Sequence, residues 1–219
     1  MMTQAQIQKL FQQYPEFSIQ EALSKGWELF KIQPALTFLY SLLILGISAG
    51  SSVFLQDYSL FISILISPPL TGGFFLVANQ LSRGLEVQLP DYFNGFSYWG
   101  ILIVTSLVSG ILTFLGIIAL ILPGIYLGVA FTFGIPFALF SGMDFWNSLE
   151  LSRKLITRNW WKFFGFILVL IGINILGLLF FVVGVLITLP VSYFAVYAVF
   201  EKLTAEALAD SGPTHESDA

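Results

Sequence analysis

Arg153, Lys154, Arg158 and Lys162 fall close together with no acidic residue among them, and Trp160 and Trp161 precede the last of them. Each cation of such a run attracts an anionic leaflet by about 1 kcal/mol, and indoles settle at headgroup level. The six residues are therefore candidate lipid-headgroup contacts. The plainer alternative is that the cations only fix orientation, which any inserted chain requires. Asn174 is the strongest polar group within an apolar segment, with Asn79 nearer a segment end. Its ordinary role is an interhelical hydrogen bond of roughly 0.6–2 kcal/mol; a substrate contact is the alternative.

Other chemistry is hard to build. His215 is the only histidine, and near it in the C-terminal tail stand only Glu216 and Asp218, which is not a metal-ligand spacing. There is no cysteine, so no disulfide or thiolate chemistry. No paired carboxylates, nucleophile elbow or phosphate-binding glycine loop is present. Between the polar connectors, the last of which ends at Lys162, the spans contain no Asp, Glu, Lys, Arg or His. A charge at mid-membrane costs about 2.5–3.5 kcal/mol, so those that persist mark proton relays and ion sites. Their absence speaks against a proton-coupled pump, while a path lined by hydroxyls, amides and carbonyls stays open. The expectation is a protein that is not an enzyme, with no cofactor and no metal.

The elements that carry these residues follow from composition. The 219 residues are 57% hydrophobic and 10% charged, against roughly 25% charged in soluble domains. A hydrocarbon core of about 30 Å needs about 20 apolar residues per helical span. The chain has six such blocks, which pair as hairpins over 35–81, 99–141 and 161–200. The expected fold is all-α: a polytopic membrane bundle of six helices in three hairpins, each preceded by an interfacial amphipathic helix, at 17–33, 86–97 and 144–160. In the first of these Ala22, Leu23, Trp27 and Phe30 share a face, and in the second Leu89, Tyr92, Phe93 and Phe96 do. Turns are predicted at Leu122–Gly124, where Pro123 suits a first helical turn, and around Gly184. Residues 1–202 form one membrane domain, and 203–219 an acidic, disordered tail. The net charge of −4 lies wholly in that tail, in Glu206, Asp210, Glu216 and Asp218; nothing points to a nucleic-acid partner.

A weak threefold repeat accompanies the hairpins. Gly-Ile recurs at Gly46-Ile47, Gly110-Ile111 and Gly172-Ile173, with a proline following at Pro69, Pro123 and Pro190. Chance matches are common in so apolar a chain. Gly46 and Gly50, and Gly124 and Gly128, stand four apart, a spacing that lets helices approach closely; packing within the bundle is the expectation and a homodimer face the alternative. On the six-span layout all nine Lys and Arg lie on one side and only Asp57 in the short loops of the other. That bias predicts both termini in the cytoplasm, and the expected location is the inner (plasma) membrane.

Over 122–203 the motifs L-P-G-I-Y, Pro136, S-L-E-L-S-R-K-L-I-T-R-N-W-W-K-F-F-G, L-P-V-S-Y-F-A-V-Y and F-E-K-L occur in that order. In these the chain resembles bacterial integral membrane proteins of the YciC-like and related families of unassigned role, grouped with the membrane domain of glycerophosphoryl diester phosphodiesterases. The resemblance implies a six-span fold. Some relatives are similar to anchors fused to a phosphodiesterase catalytic domain, whose metal-binding acids and histidines have no counterpart here. The functional expectation is a membrane protein acting in membrane organisation, lipid contact or partner assembly. Its partners would be membrane lipids, anionic ones included, and a second copy or another membrane protein. The alternative is a transporter or channel for a neutral or lipidic solute.

Overall fold

An apolar run in hydrocarbon must satisfy its backbone N–H and C=O groups internally, so each such run closes into helix. The computed structural model describes residues 2, 4–12 and 15–209, and among these it has helices and no strand. The helices are α1 (Gln4–Gln12), α2 (Ile19–Ile32), α3 (Pro34–Phe54), α4 (Ser59–Ser82), α5 (Trp99–Ala119), α6 (Ile121–Ala130), α7 (Gly134–Phe140), α8 (Phe145–Thr157), α9 (Trp160–Leu179) and α10 (Phe181–Ala209). Two 3₁₀ segments, Gln56–Tyr58 and Leu89–Tyr98, precede α4 and α5. Six segments are long and apolar enough to cross a membrane: Pro34–Phe54, Gln56–Ser82, Leu89–Ala119, Ile121–Phe140, Trp160–Leu179 and Val183–Ala205. The fold is the all-helical, six-span one that composition requires. At the turns Phe54 is 84% exposed, Leu122 78% and Phe180 76%. Side chains of that size stand free of the protein because hydrocarbon, not water, surrounds them.

The turns fall earlier than the sequence places them. The chain reverses between α5 and α6 at the single extended residue Leu120 (φ −162°, ψ 137°), and Pro123 sits in the first turn of α6. Between α9 and α10 the reversal is at Phe180. Gly184 is therefore inside a helix, flush against the Gly177 backbone, and Gly124 lies in the same way on the Ile117 backbone. These glycines mark the closest approach of two helices just past the turn, which is why they read as turn residues. The first pair, α3 and α4, is looser and has no such contact.

Three other expectations change. Gly46 and Gly50 do not pack within the bundle: a side chain at either would meet open space. The fourth span is interrupted between Ala130 and Gly134, because Pro136 has no N–H to offer the Thr132 carbonyl. The last helix continues to Ala209 with Leu203 and Thr204 buried, so the residues from 203 to 209 are helical; 210–219 lie outside the described residues, and with them His215. At 29 residues α10 is about 43 Å long, more than the hydrocarbon thickness of about 30 Å. Its C-terminal end is held by the N-terminal helices. Gly26 of α2 is so close to α10 that an added Cβ would lie 2.7 Å from the Val191 carbonyl oxygen and 2.8 Å from the Ala195 nitrogen. The helix α1, whose Ile7, Leu10 and Phe11 share a face, was not expected as a separate element. An aromatic core binds the layers: Phe133, Phe137 and Phe200 meet with centroids 5.0–6.5 Å apart, and Tyr40 packs edge-on against Phe74 at 5.0 Å.

Candidate lipid-contact site at the basic elbow

The elbow begins at Asp144, whose side chain accepts a 3.0 Å hydrogen bond from the Asn147 N–H and starts α8. Leu149, Leu151, Leu155 and Ile156 then bury one face against α5, α6 and α7. The cations are left on the other side. Glu150 lies one turn before Arg153 and Lys154, the spacing at which helical side chains meet. The Arg153 guanidinium grips it in bidentate fashion, with both N···O distances 2.8 Å, and Lys154 Nζ approaches to 3.3 Å. Arg153 beside it holds the Glu150 carboxyl below its usual range, and Glu150 in turn pushes the Arg153 guanidinium up.

The other two cations face different partners. Arg158 Nη1 donates to the Phe11 carbonyl of α1, and Lys162 Nζ sits 5.2 Å above the Phe17 ring, a cation–π distance. The two tryptophans also separate. Trp160 is half-buried, stacks on Phe164 at 5.0 Å and directs its indole N–H to the Tyr126 carbonyl at 3.4 Å. Trp161 is 77% exposed. The Tyr126 hydroxyl and Thr157 are 2.6 Å apart, so L-P-G-I-Y and the elbow motif touch. The six candidates thus divide into an ion-paired set (Arg153, Lys154), two cations that tie down the N-terminal segment (Arg158, Lys162), one packed indole and one exposed indole that rests edge-on against Trp160 at 4.9 Å.

Asn174 lies between α9 and α10. Its side-chain N–H groups donate to the Leu170 carbonyl at 2.8 Å and to Ser192 Oγ at 2.7 Å, and its carbonyl accepts from Thr188 Oγ1 at 3.1 Å. The amide clasps two helices. Asn79 donates to the Tyr197 hydroxyl at 2.6 Å, and Ser82 and Tyr197 both donate to Glu201, at 2.6 and 3.1 Å. That cluster ties the end of α4 to α10. Lys202 donates to both Glu21 oxygens at 2.9 and 2.7 Å, which holds the Glu21 carboxyl below its usual range.

Some functional contacts were invisible to sequence reasoning. Glu150 was findable from its i, i+3 and i, i+4 spacing to Arg153 and Lys154. Ser152 was not: fully buried on α8, its Oγ donates to the Ala130 carbonyl at 2.7 Å and accepts from the Phe133 N–H at 3.0 Å. It repairs the break in the fourth span. Trp99 does the same in α4, donating to the Leu65 carbonyl at 2.9 Å, the acceptor that Pro69 leaves without its helical donor. Among the described residues no three His, Cys, Asp or Glu side chains converge on a metal-sized site. No family model, no curated protein and no solved structure matches the chain.

Proposed function

We propose that this is a non-enzymatic, multi-pass protein of the inner (plasma) membrane with both termini in the cytoplasm, working through lipid contact and partner assembly. The observation that carries the reading is the way the cation-bearing elements gather at one end. Arg158 meets Phe11, Lys162 meets Phe17, Lys202 meets Glu21, and Ser82 beside Arg83 meets Glu201. Six spans whose basic residues assemble at one face take the orientation that puts that face in the cytoplasm. Lys154, Arg158 and Trp161 are exposed on it, and alongside their contacts within the protein they would face an anionic leaflet.

The chain has no cysteine, so single cysteines report topology cleanly. An impermeant maleimide on intact spheroplasts labels Cys at position 57, 120 or 180, and reaches Cys at 18 or 88 only after permeabilisation; the reverse pattern refutes the orientation. For lipid contact, Lys154→Gln, Arg158→Gln and Lys162→Gln together reduce the anionic lipid retained in native mass spectrometry, with Arg153 kept to satisfy Glu150. Unchanged lipid content leaves the cations as an orientation signal only. A second reading, passage of a neutral or lipidic solute, draws on one observation: the fourth span is broken within the bundle, and broken spans line binding sites in transporters.

A further inference from the structure

A groove of about 770 Å³ runs between α4 and α5, within the range of small-molecule sites. On α4 its wall is Ser63, Ser67 and Thr71, one face of the helix at i, i+4 and i+8; on α5 it is Ser106, Gly110 and Ile111. It extends from the end of α4 farthest from the cations to the middle of that helix. There it shares Thr71, Ser106, Gly110 and Ile135 with a second hollow of about 390 Å³, which reaches Thr132 in the break of the fourth span and Tyr193 of α10. Ser63, Ser67, Leu107 and Phe114 are on the outer surface, so the groove opens sideways, toward whatever surrounds the spans.

Apart from Thr71, which pairs with the Tyr193 side chain, its polar lining is unspent. Thr105, Ser41 and Ser192 return their hydroxyls to the carbonyl four residues back, at 2.7, 2.9 and 2.7 Å, the usual recourse for a hydroxyl in an apolar helix. Among the described residues the Ser63, Ser67, Ser106 and Ser109 hydroxyls have no hydrogen-bond partner within the protein. On the same face Pro68 takes away the N–H that would pair the Ile64 carbonyl. Both donors and an acceptor therefore look into a hydrocarbon-facing groove where water cannot serve them. Among the described residues no Asp, Glu, Lys, Arg or His lines either hollow, so a charged headgroup would lie there unpaired, at high cost.

We infer that this groove binds an uncharged amphiphilic lipid entering laterally from the bilayer, its aliphatic chain along α4 and α5 and a hydroxyl- and ester-bearing head on the Ser67 and Ser106 hydroxyls. The site stands apart from the basic elbow and does not depend on whether the protein also transports.

The probe is a diacylglycerol with a diazirine on one acyl chain, used on the full chain in nanodiscs, with cross-linked peptides mapped by mass spectrometry. Cross-links concentrate in 60–71 and 106–114 and are competed by unlabelled diacylglycerol but not by phosphatidylglycerol. Gly110→Phe, which puts a ring in the groove, lowers labelling at least tenfold. Gly46→Phe, at an equally open glycine on α3, leaves it unchanged and controls for insertion. Ser67→Ala with Ser106→Ala, which opens no steric conflict, weakens competition about sevenfold, the loss of two typical intramembrane hydrogen bonds. Labelling spread evenly over α3 and α9 as well, indifference to Gly110→Phe, or equal competition by phosphatidylglycerol overturns the assignment.

Discussion

Ser148 and Ser152 are both fully buried, one turn apart on α8, yet replacing each by alanine has opposite consequences. Ser152 Oγ serves the Phe133 N–H and the Ala130 carbonyl in the break of the fourth span. Ser152→Ala leaves both without that partner in a site that is 0% exposed. A buried polar group left unsatisfied costs about 1–3 kcal/mol, and the carbonyl, with its tolerance for weak pairing, falls at the low end; the sum is about 2–4 kcal/mol. Ser148 Oγ makes no hydrogen bond at all. Ser148→Ala removes a hydroxyl that was desolvated without compensation and is neutral or stabilising by up to about 1 kcal/mol. Unfolding in mixed micelles, followed by tryptophan fluorescence, reads both; at about 2–4 °C per kcal/mol for a chain of this size the Ser152 variant loses roughly 5–15 °C. Equal effects of the two substitutions would refute the idea that Ser152 repairs the interrupted helix.

Three further outcomes follow from the same geometry. Trp99→Phe costs about 0.5–1.5 kcal/mol because the Leu65 carbonyl loses its donor, and the cost shrinks in a Pro69→Ala background, where the restored N–H serves that carbonyl; a double-mutant cycle with no coupling denies the pairing. Gly26→Val destabilises by about 1–3 kcal/mol by overpacking α2 on α10, whereas Gly46→Ala, in open space, is neutral or mildly stabilising through helix propensity; thermal stability in detergent compares the two. The folded protein holds the Glu21 and Glu150 carboxyls below their usual value of 4.5, through Lys202 and Arg153. Folding then binds fewer protons than the unfolded chain, so these pairs contribute fully above that value and lose their contribution as pH falls through the lowered folded-state values. Acid titration of Glu21→Gln and Glu150→Gln shows a shallower loss of stability over that window, and an identical slope to the parent counts against both pairs.

The basic elbow was legible as a run of residue types but not as a site. Arg153, Lys154, Arg158 and Lys162 read as one cluster because they are close in sequence; the fold sends two to Glu150, one to the α1 backbone and one to a phenyl ring. Asn174 was legible as a polar group that must find partners, and Thr188 and Ser192 supply them across the hairpin. The glycines misled in opposite ways. Gly184 looked like a turn and is a helix contact, whereas Gly46 and Gly50 looked like contacts and face open space. A glycine reports that a side chain is missing, and only the neighbouring backbone says why.

What the sequence determined on its own are quantities that sum along the chain. Six apolar runs force six helices, because each must satisfy its backbone within itself, and the one-sided placement of Lys and Arg follows from counting loops. What only the tertiary structure decided depends on groups far apart in the chain: the reversal at Leu120 rather than at Pro123, the break at 131–133 made tolerable by Ser152, the Leu65 carbonyl claimed by Trp99, and the groove whose serines find no partner. A hydroxyl in an apolar helix has the same local choices everywhere. Whether it turns back on its own helix, mends a neighbour or is left facing the bilayer is settled by what packs against it.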